Sequence, residues 1–317
     1  MLYTTKPSGE WRKMQLSSFP QCALFEQTII TSPDGSQLIL VQYHAPKGDN
    51  GPTTPTVQVP LEPDISNLEK VNVDLHGSPT DAYRVGSSYD EYFTLCLGIP
   101  VILVYIGDGK RAILGKTLIP KTSIEGAHNP SPDQKPSSWI SSLTSYITTP
   151  SAPPPPTPWI TFTDVAPFLV ASEASLHDVS ARIPGDQPVQ MYKFRPNIIV
   201  DGAGKEAWDE DFWAELTVTS PEQSQTKLQV MGNCVRCTSL NVDYDTGKPA
   251  EGEMGTVLKK LMKDRRVDPG MKWSPVFGRY AALHADIQDR EGIIISVGDE
   301  VEVTGRNVER SVWDWPL

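Results

Sequence analysis

The residue types and spacing best suited to chemistry lie in the stretch 231–247, MGNCVRCTSLNVDYDTG. Cys234 and Cys237 are separated by two residues, and Arg236 stands directly before the second. A thiolate beside a fixed cation is held in its charged form, and that form binds soft metals. The spacing Cys234-x-x-Cys237 admits three readings: half of a zinc site, a dithiol redox pair, or one metal-binding cysteine with a bystander. A structural zinc site takes four ligands, usually with a second Cys or His pair. Here Cys22 and Cys96 lie far upstream and unpaired, and none of the five histidines is at ligand spacing from another, which disfavours zinc. A redox pair opens a helix, whereas Thr238, Leu240 and Val242 alternate with Ser239, Asn241 and Asp243 before a turn at Asp245-Thr246-Gly247. That alternation predicts a strand with Cys237 at its start. A further reading stays open, in which both cysteines are small apolar fillers.

The elements that must position this stretch read mostly as strands, so the expected class is mainly β with a few helices, an α+β chain. At 317 residues there is length for two domains. Over residues 1–120, Ala23–Ile30 and Gln37–His44 flank the turn sequence Ser32-Pro33-Asp34-Gly35 and predict a hairpin. Strands are also predicted at Thr56–Leu61, Val71–Leu75 and Val101–Ile106. A helix is predicted over Tyr89–Leu97, with Ser88 and Glu91 as a capping box, Cys96 on its apolar face, and Gly98 and Pro100 as its stop. Residues 121–160 change to Ser, Thr and Pro and read as a linker between domains. Over 161–317, strands are predicted at Phe168–Val170, Lys193–Val200, Leu216–Val218, Lys227–Val230, Phe277–Leu283, Ile293–Val297 and Val301–Thr304. Ser172 is placed to cap a helix with Leu176, Val179 and Ile183 inside, and Met254–Asp264 reads as an amphipathic helix. Glu210 and Asp211 suit a solvated acidic loop on charge alone.

The run from Arg236-Cys237 to Val242-Asp243-x-Asp245-Thr246-Gly247 resembles the signature of the MOSC domain, shared by molybdenum cofactor sulfurase C-termini and the mitochondrial amidoxime-reducing component family. The segments KFRPNIIV (193–200), SEASL (172–176), PVFGRY (275–280) and VGDEV (297–301) resemble other motifs of that family, in the family's order; Glu210-Asp211-x-Trp213 resembles its ED-x-W element. The resemblance implies a MOSC β-barrel domain at 161–317 preceded by a smaller β-barrel-like domain at 1–120. It also implies a molybdenum cofactor (Mo-molybdopterin) with Cys237 as the protein's metal ligand and catalytic residue. Arg195 and Arg236 would then grip phosphate or pterin carbonyls, Asn197 would offer its amide to the pterin edge, Tyr280 a hydroxyl, and Thr163 and Asp164 further cofactor contacts. Taken as bare residues, Arg195 could equally be a surface cation, Asn197 a strand-edge residue and Tyr280 a core aromatic. The implied reaction removes oxygen from an N-hydroxylated small molecule such as an amidoxime, with haem-protein and flavoprotein electron donors as partners.

One departure keeps a second function open. The family's N-terminal domain begins with a strand carrying a Lys-Ser pair and then an arginine, whereas Trp11–Phe25 resembles the segment that follows it. No strand pattern surrounds Lys6-Pro7-Ser8, so the first strand is expected to be absent. A non-catalytic MOSC module that binds or hands on sulfur or molybdenum cofactor is the alternative. A net charge of −11 and a pI near 5.0, without a basic block, argue against a nucleic-acid partner. Four cysteines make no disulfide framework, the N-terminus lacks a secretory apolar core, and the longest apolar run, Val101–Ile106, is far short of a bilayer span. A reducing compartment, cytoplasmic or mitochondrial, follows as the expectation.

Overall fold

A computed structural model describes residues 1–46, 56–120, 158–185, 187–202, 206–284, 287 and 293–316. The expected linker therefore lies outside the described residues except for 158–160. Strands β1 (Leu2–Thr5) and β2 (Trp11–Lys13) are followed by β3 (Phe25–Thr31), β4 (Gln37–Tyr43), β5 (Val57–Pro60), β6 (Glu69–Leu75) and β7 (Ser78–Arg84). Helix α1 (Ser87–Leu97), β8 (Val101–Tyr105) and the short β9 (Arg111–Ala112) complete this half. They form a five-stranded sheet in the order β2-β1-β8-β7-β6 and a three-stranded sheet β3-β4-β5. The predicted hairpin is β3 against β4, with Gly35 at φ 88° in its turn. In β6, Val71, Val73 and Leu75 point inward at every second position, as a sheet with one buried face requires.

Two expectations for this half change. The strand β1 ends just before Lys6-Pro7-Ser8 and pairs with both β2 and β8. Its four residues bury Tyr3 and Thr4 in succession, so no alternation marks it in the sequence. Helix α1 begins at Ser87 behind Gly86, which places Ser88 inside the helix, and no side-chain cap bond forms. Asp90 is buried instead, accepting from Arg84 Nε at 2.5 Å and from the Leu103 amide at 2.7 Å. Gly98, at φ 68°, ends the helix as predicted.

The second half opens with β10 (Trp159–Ile160), which pairs with β9 and so ties it to the first. There follow β11 (Phe168–Ser172), α2 (Glu173–Ala181), β12 (Ile198–Val200), β13 (Trp213–Thr219), β14 (Gln225–Val235), β15 (Val242–Asp243), β16 (Lys248–Pro249), α3 (Val257–Leu261), β17 (Val276–Leu283) and β18 (Glu300–Arg306). The main sheet runs β12-β11-β17-β14-β13-β18, with β11 and β12 parallel. Mainly β architecture with a few helices, in sheets curled into half-barrels, is what the sequence predicts. Trp213, Leu216, Leu228, Val230 and Ala281 pack one cluster along this sheet. Leu176, Val179, Phe194, Leu240, Val257 and Leu261 pack another that seats both α2 and α3.

Several local readings are corrected. Lys193–Val200 is not one strand: Met191–Phe194 is a 3-10 turn, Arg195 takes φ 54°, and the strand starts at Ile198. Pro196 has no amide proton for a ladder. Thr238–Asn241 is likewise a 3-10 turn, so Cys237 follows the end of β14 rather than starting a strand. Ser172 occupies the N-cap position of α2 but its buried hydroxyl makes no cap bond. The helical reading of Met254–Asp264 narrows to α3 behind a 3-10 segment, Gly252–Thr256. Ile293–Val297 carries no strand.

Glu210 and Asp211 are fully buried rather than solvated. Asp211 accepts from Arg265 at 2.8 and 2.9 Å and from Arg310 at 2.8 Å. Glu210 accepts from Ser175 Oγ at 2.8 Å, and Ser175 in turn accepts from the Trp208 amide at 2.7 Å.

Candidate functional site

The two halves enclose a cleft of about 700 Å³, a volume typical of small-molecule and cofactor sites. Cys237, Arg195, Arg236, Tyr280, Asp164 and Thr163 all line it. They arrive on separate elements: the end of β14, the turn before β12, β17, and the loop leading to β11. Asn197 is placed elsewhere. Its Oδ1 accepts from the Leu169 backbone amide at 2.8 Å while its own backbone N–H donates to Leu169 O at 2.9 Å, so it fixes the β11–β12 junction.

Cys237 is exposed, with Sγ 3.2 Å from Ser239 Oγ. Arg236 does not bond to it. Its Nη1 donates to the buried Cys234 Sγ at 2.9 Å and its Nη2 to Phe194 O at 2.8 Å. Burial works against this guanidinium, but Cys234, Tyr280 and Cys237 hold its pKa above the ordinary value. The two cysteines are thus divided, one locked in the wall and one presented to the cleft. Among the described residues no three His, Cys, Asp or Glu side chains gather as a metal cage; Cys237 is the exposed thiol of the cleft, whereas Cys22, which also lines it, is half-buried and its pKa is pushed by burial up to about 11.

From Cys234 a line of hydrogen bonds runs along the wall. Its Sγ donates to Tyr280 Oη at 3.4 Å, Tyr280 donates to Asp164 Oδ2 at 2.5 Å, and His76 Nε2 lies 2.5 Å from Asp164 Oδ1. Lys13 Nζ stands 3.2 Å from His76 Nδ1. An ammonium can only donate, so Nδ1 accepts and the ring proton on Nε2 faces Asp164. Burial raises the Asp164 pKa, but the bonds from His76 and Tyr280 and the charge of Arg195 outweigh it and set the carboxyl well below its usual range. Burial chiefly, helped by the neighbouring Cys234 and Asp164, pushes the Tyr280 phenol far up.

His76 was not legible from spacing. It occupies the β6–β7 turn with Gly77, both at positive φ (59° and 77°), as a two-residue hairpin loop demands. Its carbonyl accepts from Trp315 Nε1 at 2.8 Å, and Trp313 and Trp315 form part of the cleft wall. The tryptophan-rich tail was the one available signal for that wall. Behind it, the buried Arg111 donates to Leu75 O at 2.6 Å and Ser78 O at 3.3 Å, and to Thr161 O at 2.9 Å and Thr163 O at 2.7 Å. It thereby pins the His76 turn to the Thr163-Asp164 loop.

The cleft contains unsatisfied groups. Thr163 Oγ1, Arg236 Nε and Tyr244 Oη are buried without a hydrogen-bond partner among the described residues, and each belongs to a cleft-lining residue. Buried polar atoms without partners cost about 1–3 kcal/mol each unless a ligand or water satisfies them. Arg195 is exposed at the rim; its backbone amide donates to Tyr192 O at 3.1 Å, but its guanidinium makes no hydrogen bond or ion pair with another described residue. Its αL backbone, uncommon for a residue other than glycine, is a local strain of the kind that gathers at functional sites. Such donors and cations fit an anionic ligand rich in oxygen and nitrogen, and the thiol fits a soft metal carried by it.

The MOSC domain family model matches residues 157–302. Mitochondrial amidoxime-reducing component 1 of Homo sapiens is 35% identical over 151 residues, covering 46% of this chain and 40% of that protein. Mitochondrial amidoxime reducing component 2 of Rattus norvegicus is 37% identical over 128 residues, 39% of this chain and 34% of the relative. Molybdenum cofactor sulfurase of Emericella nidulans is 28% identical over 247 residues, 72% of this chain and 27% of the relative. The matched part thus spans 40% or less of the length of each of these relatives. Cys234, Cys237, Tyr280 and the Asp164 loop all lie within the matched residues, and over 157–302 the chain is similar to the MOSC domain.

Proposed function

We propose that the cleft binds a pterin-based molybdenum cofactor with Cys237 as the protein's ligand to the metal, and that the loaded protein reduces N-hydroxylated small molecules. One observation carries this reading: a single exposed thiol shares its cleft with the unpaired Arg195 and with three buried polar atoms that lack partners. When bound, such a cofactor supplies two-electron oxygen-atom chemistry. The chain supplies position and charge. Arg195 and Arg236 Nε balance and orient the anionic ligand, and Tyr244 Oη and Thr163 Oγ1 take its remaining polar atoms. The wall from Cys234 through Tyr280 to Asp164 backs the cleft beside Cys237. Asn197 acts by fixing the β11–β12 junction rather than by touching the pterin.

For an amidoxime the balanced change is uptake of two electrons and two protons, rupture of the N–O bond, and release of an amidine and water. Electrons would come from a haem-protein and flavoprotein chain, for which an acidic surface of net charge −11 favours a basic docking face. The names of the amidoxime-reducing relatives support the substrate class and a mitochondrial setting. No helix among the described residues is long and apolar enough to cross a membrane.

The test is metal analysis with pterin fluorescence on protein made in a host that synthesises the cofactor, followed by amidoxime turnover with a chemical reductant. Wild type is expected to carry molybdenum and pterin and to turn over. Cys237→Ser should retain less of the metal and Arg195→Ala should bind the pterin weakly. Protein without either component contradicts the proposal. Molybdenum and pterin without turnover leave a cofactor-binding module.

A further inference from the structure

A second groove, of about 430 Å³, opens beside Cys237 and shares Ser17, Arg236, Cys237 and Ser274 with the cleft. Beyond that junction Leu258, Met262, Trp273 and Pro275 form its apolar part, with Ser18 and Thr238 beside them. Trp273 is 70% exposed, with Lys272 Nζ 5.2 Å from the ring centroid. A bare indole next to aliphatic side chains and a thiol is the kind of exposed apolar patch that marks a ligand surface. In a chain with 39 Asp and Glu, no carboxylate among the described residues lines this groove, and Arg236 is its one charged residue. With no carboxylate to pair a cationic body, and with Lys272 already over the Trp273 ring, the lining suits a flat neutral one. At the junction the hydroxyls of Ser17 and Ser274 make no hydrogen bond to another described residue, which leaves them free for a polar head group.

We infer that this groove is the substrate site, seating an uncharged aromatic body against Trp273 and Met262 while its N-hydroxylated head reaches Cys237. The inference rests on the function proposed above, and it adds where the substrate lies and what shape is preferred. The cleft and the groove divide the labour on either hand of Cys237, one for the cofactor and one for the molecule it acts on. Trp273 is the specificity-determining residue, because an aromatic ring gains stacking on it that an alkyl group does not.

Isothermal titration of the purified full chain with benzamidoxime, and with acetamidoxime as the same head on a methyl group, tests the site without requiring turnover. Benzamidoxime is expected to bind more tightly than acetamidoxime. Trp273→Ala should weaken benzamidoxime about tenfold, Trp273→Phe should restore most of that, and acetamidoxime should change little. With 70% of its surface exposed, Trp273 can be truncated without loss of folding, which thermal melting verifies. Met262→Glu provides an independent block of the same floor. In turnover assays the loss should fall on KM, with kcat and molybdenum content held. Unchanged benzamidoxime affinity in both Trp273→Ala and Met262→Glu overturns the inference. Trp273-dependent binding in a wild type that does not turn over would uphold the groove and reject the catalytic reading.

Discussion

At the scale of single residues, the two cysteines of the Cys-x-x-Cys pair do different work. Arg236, one residue from Cys237 in sequence, reaches back to Cys234, because Val235 ends a strand and side chains alternate across it. Cys234→Ala should leave molybdenum binding largely intact yet cost about 1–3 kcal/mol, since it strips Arg236 Nη1 of its acceptor in a buried place; chemical denaturation measures this. Asp164→Asn should weaken both the His76 and Tyr280 bonds. The depressed Asp164 pKa contributes stability that is present above the ordinary carboxylate value near pH 4 and is lost as pH falls through its lower folded value. The Asn variant should therefore lose stability at neutral pH and show a flatter acid limb. Sequence reading named Cys237, Arg195, Arg236, Thr163, Asp164 and Tyr280 through the family resemblance, and these six line one cleft. It missed His76 because a turn residue acquires its role only when a distant loop is brought against it.

Among the elements, strands that alternate or run apolar were legible: β4, β6, β8 and β17 follow their predictions closely. Those that escaped have a stated cause. In β7, SPTDAYR, polar residues and a proline mask an inward set of Ser78, Thr80 and Ala82. The KFRPN segment carries apolar residues yet breaks at Arg195, where the chain turns its guanidinium toward the cleft. The acids before β13 looked like a solvated loop because charge alone cannot tell a surface carboxylate from one enclosed by Arg265 and Arg310. Their burial has a pH signature. Desolvation first, with the nearby Asp211 charge, raises the Glu210 pKa from 4.5 to about 7 against the bond from Ser175. A carboxyl raised in the folded state binds its proton more tightly there, so its contribution is complete below about pH 4.5 and is lost as pH rises through about 7, a change of about 3 kcal/mol. Glu210→Gln should shrink the fall in melting temperature between about pH 5 and pH 8; an unchanged pH profile would contradict the burial account.

For the whole molecule, the cleft lies between two halves joined along a seam where Leu118 packs with Met231, Tyr280 and Trp315, and Phe162 packs against Tyr3. Arg111 is the fastener: it is fully buried, and its bonds go to carbonyls of both halves. Arg111→Ala would orphan those carbonyls and free the His76 turn from the Thr163-Asp164 loop, with an expected cost of about 3 kcal/mol or more and a loss of cofactor retention out of proportion to the change in fold. Circular dichroism together with molybdenum content checks it. Mainly β architecture was legible from alternation alone, whereas the seam was not, since nothing in the sequence around Arg111 marks it as buried. The central claim is that Cys237 completes the ligand set of a metal held in this cleft, and X-ray absorption at the molybdenum edge addresses it most directly. The account predicts one sulfur neighbour more in wild type than a pterin dithiolene supplies, lost in Cys237→Ser and kept in Cys234→Ala; the same sulfur count in wild type and Cys237→Ser would contradict it.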